Sequence, residues 1–342
     1  MPQISNILKK IAAAGLVGRG GAAYPTAKKW ATVKAALAKR KIGYIVINGA
    51  EGEPGVKKDG YLLAHYPQEI INGVYLADEF LGSNKIQQIY FFLNRDYHKA
   101  YAPAIKKILT QTKYKKIGQK LEFIIKPEKL TYVSGEESAL LSLIEGLKVE
   151  PRLRPPYPTE HGLHGHPTLI NNTETFYNIS LVSNERFKNL RLYTISGLAK
   201  HRGVYSLSAD LTVAEVLRRT DNYPSFKFFV QVGGEASGQF LNSGQLDQLA
   251  TGAGSIMVYD ALKTKTDKLL RYLFDFYFDQ SCGHCTTCRE GTYRLWVLIN
   301  HHEPDRHLMN ELLDNLAESS FCALGFSLPY TIESYFKNIL KN

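Results

Sequence analysis

The sequence predicts an α/β fold, then a small β-rich unit, then a helical end; three features of its 342 residues carry that expectation. Short apolar runs alternate with helical patterns through the first half, the texture turns β-rich near residue 190, and amphipathic helical stretches return after about residue 263. The boundaries are therefore placed at 1–190, 191–262 and 263–342.

In the first region, "YIVINGAEG" (44–52) and "QQIYFFLNRD" (87–96) read as buried strands, the first stopping in a glycine loop, and "KLEFIIKPEKLTYVSGEES" (120–138) as a third strand region followed by a loop. Between them, "LLAHYPQEIINGVYLADEFLG" and "YHKAYAPAIKKILTQTK" space their apolar residues near the helical period. Strands alternating with helices make an α/β sheet, and such sheets bind ligands in the loops that follow strand ends. Further on, "LYTISGLAKHRGVYSLSADLTVAEVLRRT" and "FKFFVQVGG" suggest strands around one capped helix, whereas "DKLLRYLFDFYF", "YRLWVLINHH" and "DRHLMNELLDNLAES" read as helices.

Composition narrows the function classes. With 44% hydrophobic and 22% charged residues the chain builds a sizeable core. No apolar run approaches the roughly 20 residues of a membrane helix, and the N-terminal stretch lacks a signal-peptide core, so a cytoplasmic protein is expected, docked at most peripherally on a membrane complex. The net charge of +10 is spread out; "TKYKKIGQK" reads as a solvated face, and no nucleic-acid motif accompanies it.

The cysteines are the sharpest local signal. Cys282, Cys285 and Cys288 form C-x2-C-x2-C, and Cys322 stands apart from them. Three thiolates from one turn plus one from elsewhere is the common way to hold a [4Fe–4S] cluster, whereas structural zinc more often uses two separated pairs. Zinc and unliganded buried cysteines remain the other readings. His284 reads as a loop residue.

Two further patterns are open on residues alone. "GLVGRGGAAYPTAKKW" sets Gly18, Gly20 and Gly21 around Arg19, which suits either a phosphate cradle or an ordinary turn. Glu51 and Glu53 in one loop, and Glu136 and Glu137 in another, are placed to accept hydrogen bonds from ribose or nicotinamide or else are solvated. "PRLRPPYP", with Tyr157, reads as a proline-bound crossover, and "HPTLINNTETF" supplies Asn171, Asn172 and Thr175 or a helix cap.

Taken together, "GLVGRGGAAYPTAKKW", "NGAEGEPG", "YVSGEESAL", "PRLRPPYP", "PTLINNTET", "SCGHCTTCREGT" and "CALG" resemble the NADH-binding flavoprotein subunit of respiratory complex I and the diaphorase subunits of NAD-reducing and bifurcating hydrogenases and formate dehydrogenases. The resemblance runs from about Gly15 to Gly325. It implies a Rossmann- or flavodoxin-like FMN domain, a ubiquitin-like β-grasp domain and a C-terminal helical bundle carrying [4Fe–4S]. FMN contacts would fall on Gly18, Gly20, Gly21, Lys29, Asn48, Tyr132, Gly135, Asn171 and Asn172. NADH contacts would fall on Tyr24, Glu53, Glu137 and Tyr157, with Arg19, Glu51, Glu136, Ile170 and Thr175 completing the cofactor-binding set. The cluster ligands would be Cys282, Cys285, Cys288 and Cys322.

The activity implied is hydride transfer from NADH to FMN, then single electrons through the cluster to a thioredoxin-like [2Fe–2S] subunit and further iron–sulfur proteins. Ala50 stands where complex I flavoproteins carry aspartate, and Thr32 where an aromatic is common, so the alternative is a cluster-bearing scaffold without productive flavin or NADH binding. The chain starts near the glycine loop and lacks extra cysteine-rich domains; a partner is expected to cover that surface.

Overall fold

The computed structural model describes residues 6–129, 132–301 and 305–340, which form two compact units. The first comprises Met1–Glu51, Lys58–Glu128 and Ser134–Lys188, and the second Gly52–Lys57, Lys129–Val133 and Asn189–Asn342.

In the first unit, α1 (Ile7–Ala13) and α2 (Thr26–Lys39) precede β1 (Gly43–Gly49), and α3 (Lys58–His65) and α4 (Pro67–Leu81) lead to β2 (Ile86–Leu93). Next come α5 (Arg95–Leu109), α6 (Lys115–Lys120) and β3 (Leu121–Ile125), then α7 (Glu137–Ile144) and α8 (Pro158–His161), and finally β4 (Thr168–Asn172) and α9 (Thr173–Ser183). The four strands are parallel, in the order β3-β2-β1-β4. Central β1 is apolar on both faces because helices cover both sides of such a sheet.

That strand order decides where a ligand sits. The chain winds outward from β1 through β2 to β3, then returns to the other side of β1 to form β4. The direction reverses between β1 and β4, whose carboxyl ends lie level with Asn48 opposite Asn172. A crevice outside the strand ends at such a reversal is the usual binding place in open α/β sheets.

Two elements differ from the sequence expectation. The helix expected over 62–82 is two helices, because Pro67 opens α4 and a residue before proline is steered out of the helical region. Thr168–Asn172, read as a crossover or cap, is a buried strand, and its last residue is also the cap: the Asn172 side chain accepts from Glu174 N at 3.0 Å. The final residue of the expected helix ending "NHH", His302, lies outside the described residues.

The second unit holds β5 (Leu190–Gly197), β6 (Gly203–Ser208), α10 (Val213–Arg219), β7 (Phe228–Val232), β8 (Gln239–Asn242) and β9 (Ser255–Asp260). The order β6-β5-β9-β7-β8, with β5 and β9 parallel and the other pairs antiparallel, is the ubiquitin-like β-grasp arrangement. Thr212 and Glu215 close a reciprocal capping box on α10. Helices α11 (Thr266–Gln280), α12 (Thr286–His301), α13 (Arg306–Ser319) and α14 (Ala323–Tyr335) follow, sharing a core with Phe229 and Phe240 of the sheet.

The first unit is tightest where α4 meets α9. A Cβ on Gly73 would fall 2.0 Å from the Phe176 carbonyl oxygen, so the helices touch backbone to backbone. Gly73→Ala is expected to destabilise the protein by about 1–3 kcal/mol, read as a lower denaturation midpoint in urea, because a rigid main-chain atom cannot yield as a side chain would.

Candidate active site

The crevice begins with the glycine loop. Gly18 N donates to Tyr24 O at 2.8 Å and closes the loop on itself, while Arg19 N donates to Thr175 Oγ1 at 3.0 Å and fixes it to the first turn of α9. Gly21 has a φ of +108° with nothing within 4 Å of where a Cβ would stand, and a Cβ on Gly135 would meet only Ala50 Cβ at 4.0 Å. Beside these bare backbones the buried Nε of Arg19 has no hydrogen-bond partner among the described residues. Accessible backbone amides next to an unsatisfied guanidinium nitrogen fit a phosphate.

The next residues come from the strand ends. Lys29, in the first turn of α2, donates to Ile170 O at 3.1 Å and pairs with Glu137 at the start of α7. Asn48 donates to Gly135 O at 2.8 Å, and Asn171, with its amide oriented by its surroundings, accepts from Trp30 Nε1 at 3.0 Å. Glu136 is spent as the N-cap of α7, accepting from Ser138 N and Ala139 N at 2.9 Å each, and is paired with Arg154 at 2.8 Å. Tyr24 and Tyr157 are 41% and 54% exposed, and the Lys28 ammonium stands over the Tyr24 ring at 5.9 Å from its centroid.

Beneath the strand ends lies a charge network. Lys58 contacts Asp59 at 2.7 Å, Glu174 at 3.1 Å and Asn172 Oδ1 at 3.0 Å, with all four residues in or near the floor of the crevice. Glu51, whose backbone is left-handed at φ 41°, accepts from Asp59 N at 2.7 Å, Gly60 N at 3.2 Å and the Tyr97 hydroxyl. Burial, then the Asp59 charge, pushes the Glu51 carboxyl up to about 7 against the pull of Lys58 and Tyr97. Burial opposes the Lys58 charge as well, yet Asp59, Glu174 and Glu51 outweigh it and hold its pKa above the usual value. Sequence reasoning missed Lys58, Asp59, Tyr97 and Glu174, since "KKD" beside glycines looks solvated and nothing local links it to the other two.

Glu53 and Tyr132 belong to the second unit. The Glu53 carboxylate accepts from Ala236 N at 2.9 Å, Ser237 N at 3.1 Å, Ser237 Oγ at 2.9 Å and Tyr132 Oη at 2.9 Å. Burial raises its pKa despite these donors. Two glutamates separated by a single glycine therefore serve different neighbourhoods.

The cysteines come from three places in the helical part of this unit. Cys282 and Cys285 lie in the turn between α11 and α12, Cys288 in the first turn of α12, and Cys322 at the N-cap of α14. Gly325 lets α14 approach, since a Cβ there would lie 3.5 Å from Cys288 Cβ and 2.1 Å from Ser320 Oγ. None of the four is in a disulfide, and Cys285, Cys288 and Cys322 are buried. Burial pushes the Cys288 thiol up to about 12, and Cys285, Cys322 and Cys282 add to the shift, so Cys288 lies near the other three. Among the described residues no three His, Cys, Asp or Glu side chains converge as for a single metal ion. A four-iron cluster is a larger object, and four buried or half-buried thiols without disulfides suit its chemistry.

Comparison with known proteins follows the same division. Residues 11–181 match the family described as Nuo51 FMN-binding domain, and residues 268–340 match the NADH-ubiquinone oxidoreductase-F iron-sulfur binding region. The chain belongs to this flavoprotein family. Within it, the F-type NADH-quinone oxidoreductase protein of Streptomyces coelicolor is 30% identical over 98% of this chain and 83% of its own length. Its counterpart in Aquifex aeolicus is 29% identical over 91% of this chain and 78% of its own, and a mitochondrial NADH dehydrogenase [ubiquinone] flavoprotein 1 of Dictyostelium discoideum is 27% identical over 97% and 77%. The fold superposes on a chain of an NAD+-reducing [NiFe]-hydrogenase with a TM-score of 0.87 at 27% identity, covering 99% of this chain and 61% of that one. FMN and a [4Fe–4S] cluster are the family's cofactors, and the crevice and the cysteine set fit them.

The raised Glu51 pKa carries a sign. The folded protein keeps a proton that the unfolded chain releases near 4.5, so this carboxyl's contribution is full below that pH and is lost as pH rises through about 7. Urea titrations at pH 5 and pH 8 should show Glu51→Gln gaining relative stability at the higher pH by on the order of 2–3 kcal/mol.

Proposed function

We propose that this protein is the NADH-oxidising flavoprotein of an electron-transfer complex, accepting hydride from NADH at FMN and passing electrons singly through a [4Fe–4S] cluster to a partner iron–sulfur protein. The observation that carries this reading is the loop of Gly18, Gly20 and Gly21, tied through Arg19 to α9 and through Lys29 to Ile170 of β4 where the strand order reverses, in the same chain as four cysteines at or beside helix starts. The family match over both regions supports it, as do relatives named for NADH oxidation.

The chain's own part is binding and positioning. Backbone amides around Gly18, Gly20 and Gly21, with Arg19 and Lys29, hold the flavin phosphate; Asn48, Gly135, Ile170, Asn171, Asn172 and Thr175 fix the ring and ribityl chain. Tyr24 and Tyr157 stack the adenine, and Glu137 is the carboxylate for the adenosine ribose, with Glu51 and Glu136 held behind it. The resemblance also assigns Glu53 to NADH and Tyr132 to FMN, and Cys282, Cys285, Cys288 and Cys322 hold the cluster. When bound, FMN supplies the exchange between two-electron hydride chemistry and single-electron transfer. A hydride brings its own electron pair, so no general base is assigned.

The partners are the other proteins of a multi-subunit complex, a thioredoxin-like [2Fe–2S] protein among them. No described helix is long and apolar enough to cross a membrane, which suits a cytoplasmic protein docked peripherally.

Anaerobic absorbance spectra of the purified protein test the reading directly. NADH should bleach a flavin band near ~450 nm over a broad iron–sulfur shoulder, and a cluster signal without flavin would refute it. Lys29→Ala should weaken FMN retention roughly tenfold or more, measured by fluorescence of released flavin, because a charge-assisted phosphate contact contributes about 1.5–3 kcal/mol. Glu137→Ala should narrow the preference for NADH over NADPH about tenfold in kcat/KM, since it removes the like charge facing the extra phosphate.

A further inference from the structure

Lys126 follows directly on β3, its backbone N–H bonded to Leu93 O at 2.8 Å, and the residue is only 9% exposed. Among the described residues the ammonium makes one hydrogen bond, to Ala50 O at 3.3 Å, which leaves two of its N–H groups without an acceptor. No described carboxylate lies within ion-pairing distance of it. A buried cation so poorly matched is costly unless something electron-rich completes it.

Its surroundings indicate what that is. Ala50 immediately follows β1, its N–H shared with Asn48 Oδ1 at 3.3 Å, and the Asn48 amide donates to Gly135 O. The Lys126 ammonium thus stands one hydrogen bond from the floor of the crevice at the β1/β4 reversal. At Ala50 the lysine meets only a backbone carbonyl oxygen and no charge. Burial pulls the Lys126 pKa down to about 8, with Glu51 only partly restoring it, which agrees with a charge awaiting a counter-ion.

We propose that Lys126 is a redox-tuning residue: its ammonium is the counter-charge for the reduced flavin bound in this crevice. This rests on the flavin site assigned above. Hydride transfer moves one C–H bond pair from NADH to oxidised flavin, yielding NAD+ and a flavin that carries one negative charge. No proton or further reductant is required. The oxidised ring is neutral and gains little from the lysine, whereas the reduced ring gains an ionic hydrogen bond in a low-dielectric site. The lysine therefore raises the flavin potential and favours hydride acceptance.

The test compares the purified full-length protein with Lys126→Met, Lys126→Gln and Lys126→Arg. FMN dissociation constants are measured for the oxidised and the dithionite-reduced states, together with the flavin midpoint potential by dye-coupled titration. The neutral variants should bind oxidised FMN within about twofold of the parent and reduced FMN about tenfold more weakly, which for a two-electron couple lowers the potential by about 30 mV. Lys126→Arg should keep the parent potential. Equal weakening of both redox states, or no change in either, with flavin bound, would overturn the proposal and leave the function intact. A parent protein that holds no flavin would overturn the crevice assignment and this inference with it. Lys126→Gln covers the case in which the more apolar methionine variant does not fold.

Discussion

One buried cation organises the first unit. The Lys58 ammonium lies out of water among Asp59, Glu174 and Asn172, and these residues come from α3, α9 and the end of β4. Removing the Lys58 ammonium would leave the buried carboxylates of Asp59 and Glu174 uncompensated in a low-dielectric place, so the set is held together by that one charge. Asn172 doubles as the cap of α9 and a clamp on Asn48 O at 3.0 Å, which ties β4 to β1 where the strand order reverses. The glycine loop then rests on α9 through Thr175. The crevice has its shape because its floor is charge-locked.

The local parts of this arrangement were legible in the sequence, and the distant parts were not. C-x2-C-x2-C and the glycine loop are short-range chemistry, so spacing alone exposes them. β1 and β2 announce themselves as long apolar runs. β4 offers only five residues whose meaning comes from pairing with β1 more than a hundred positions earlier. Lys58, Tyr97 and Glu174 meet only after the helices have packed, and no period in the sequence links them. Only the resemblance assigns Asn171 and Asn172 to the flavin; periodicity assigns them to a plain cap, and Asn172 is indeed the cap of α9.

The loop "NGAEGEPG" shows how closely spaced residues can be divided by the fold. Glu51 turns to the amides that open α3, and Glu53 turns to the 236–237 loop of the second unit. Both carboxyls are pushed upward by burial, but one is restrained by a lysine and a tyrosine and the other by backbone amides. Identical side chains in one motif thus have unlike electrostatic surroundings.

The placement of Cys322 has a consequence for the helical end as a polymer. The 33 residues between Cys288 and Cys322 include the rest of α12 and all of α13. In the proposed ligation both ends of that segment are bonded to one cluster, so the helices form a closed loop. Closing a loop of that length removes unfolded-chain entropy worth about 4 kcal/mol at room temperature. The electron carrier is then also a staple, and oxidative loss of iron removes that cross-link as well as interrupting the current.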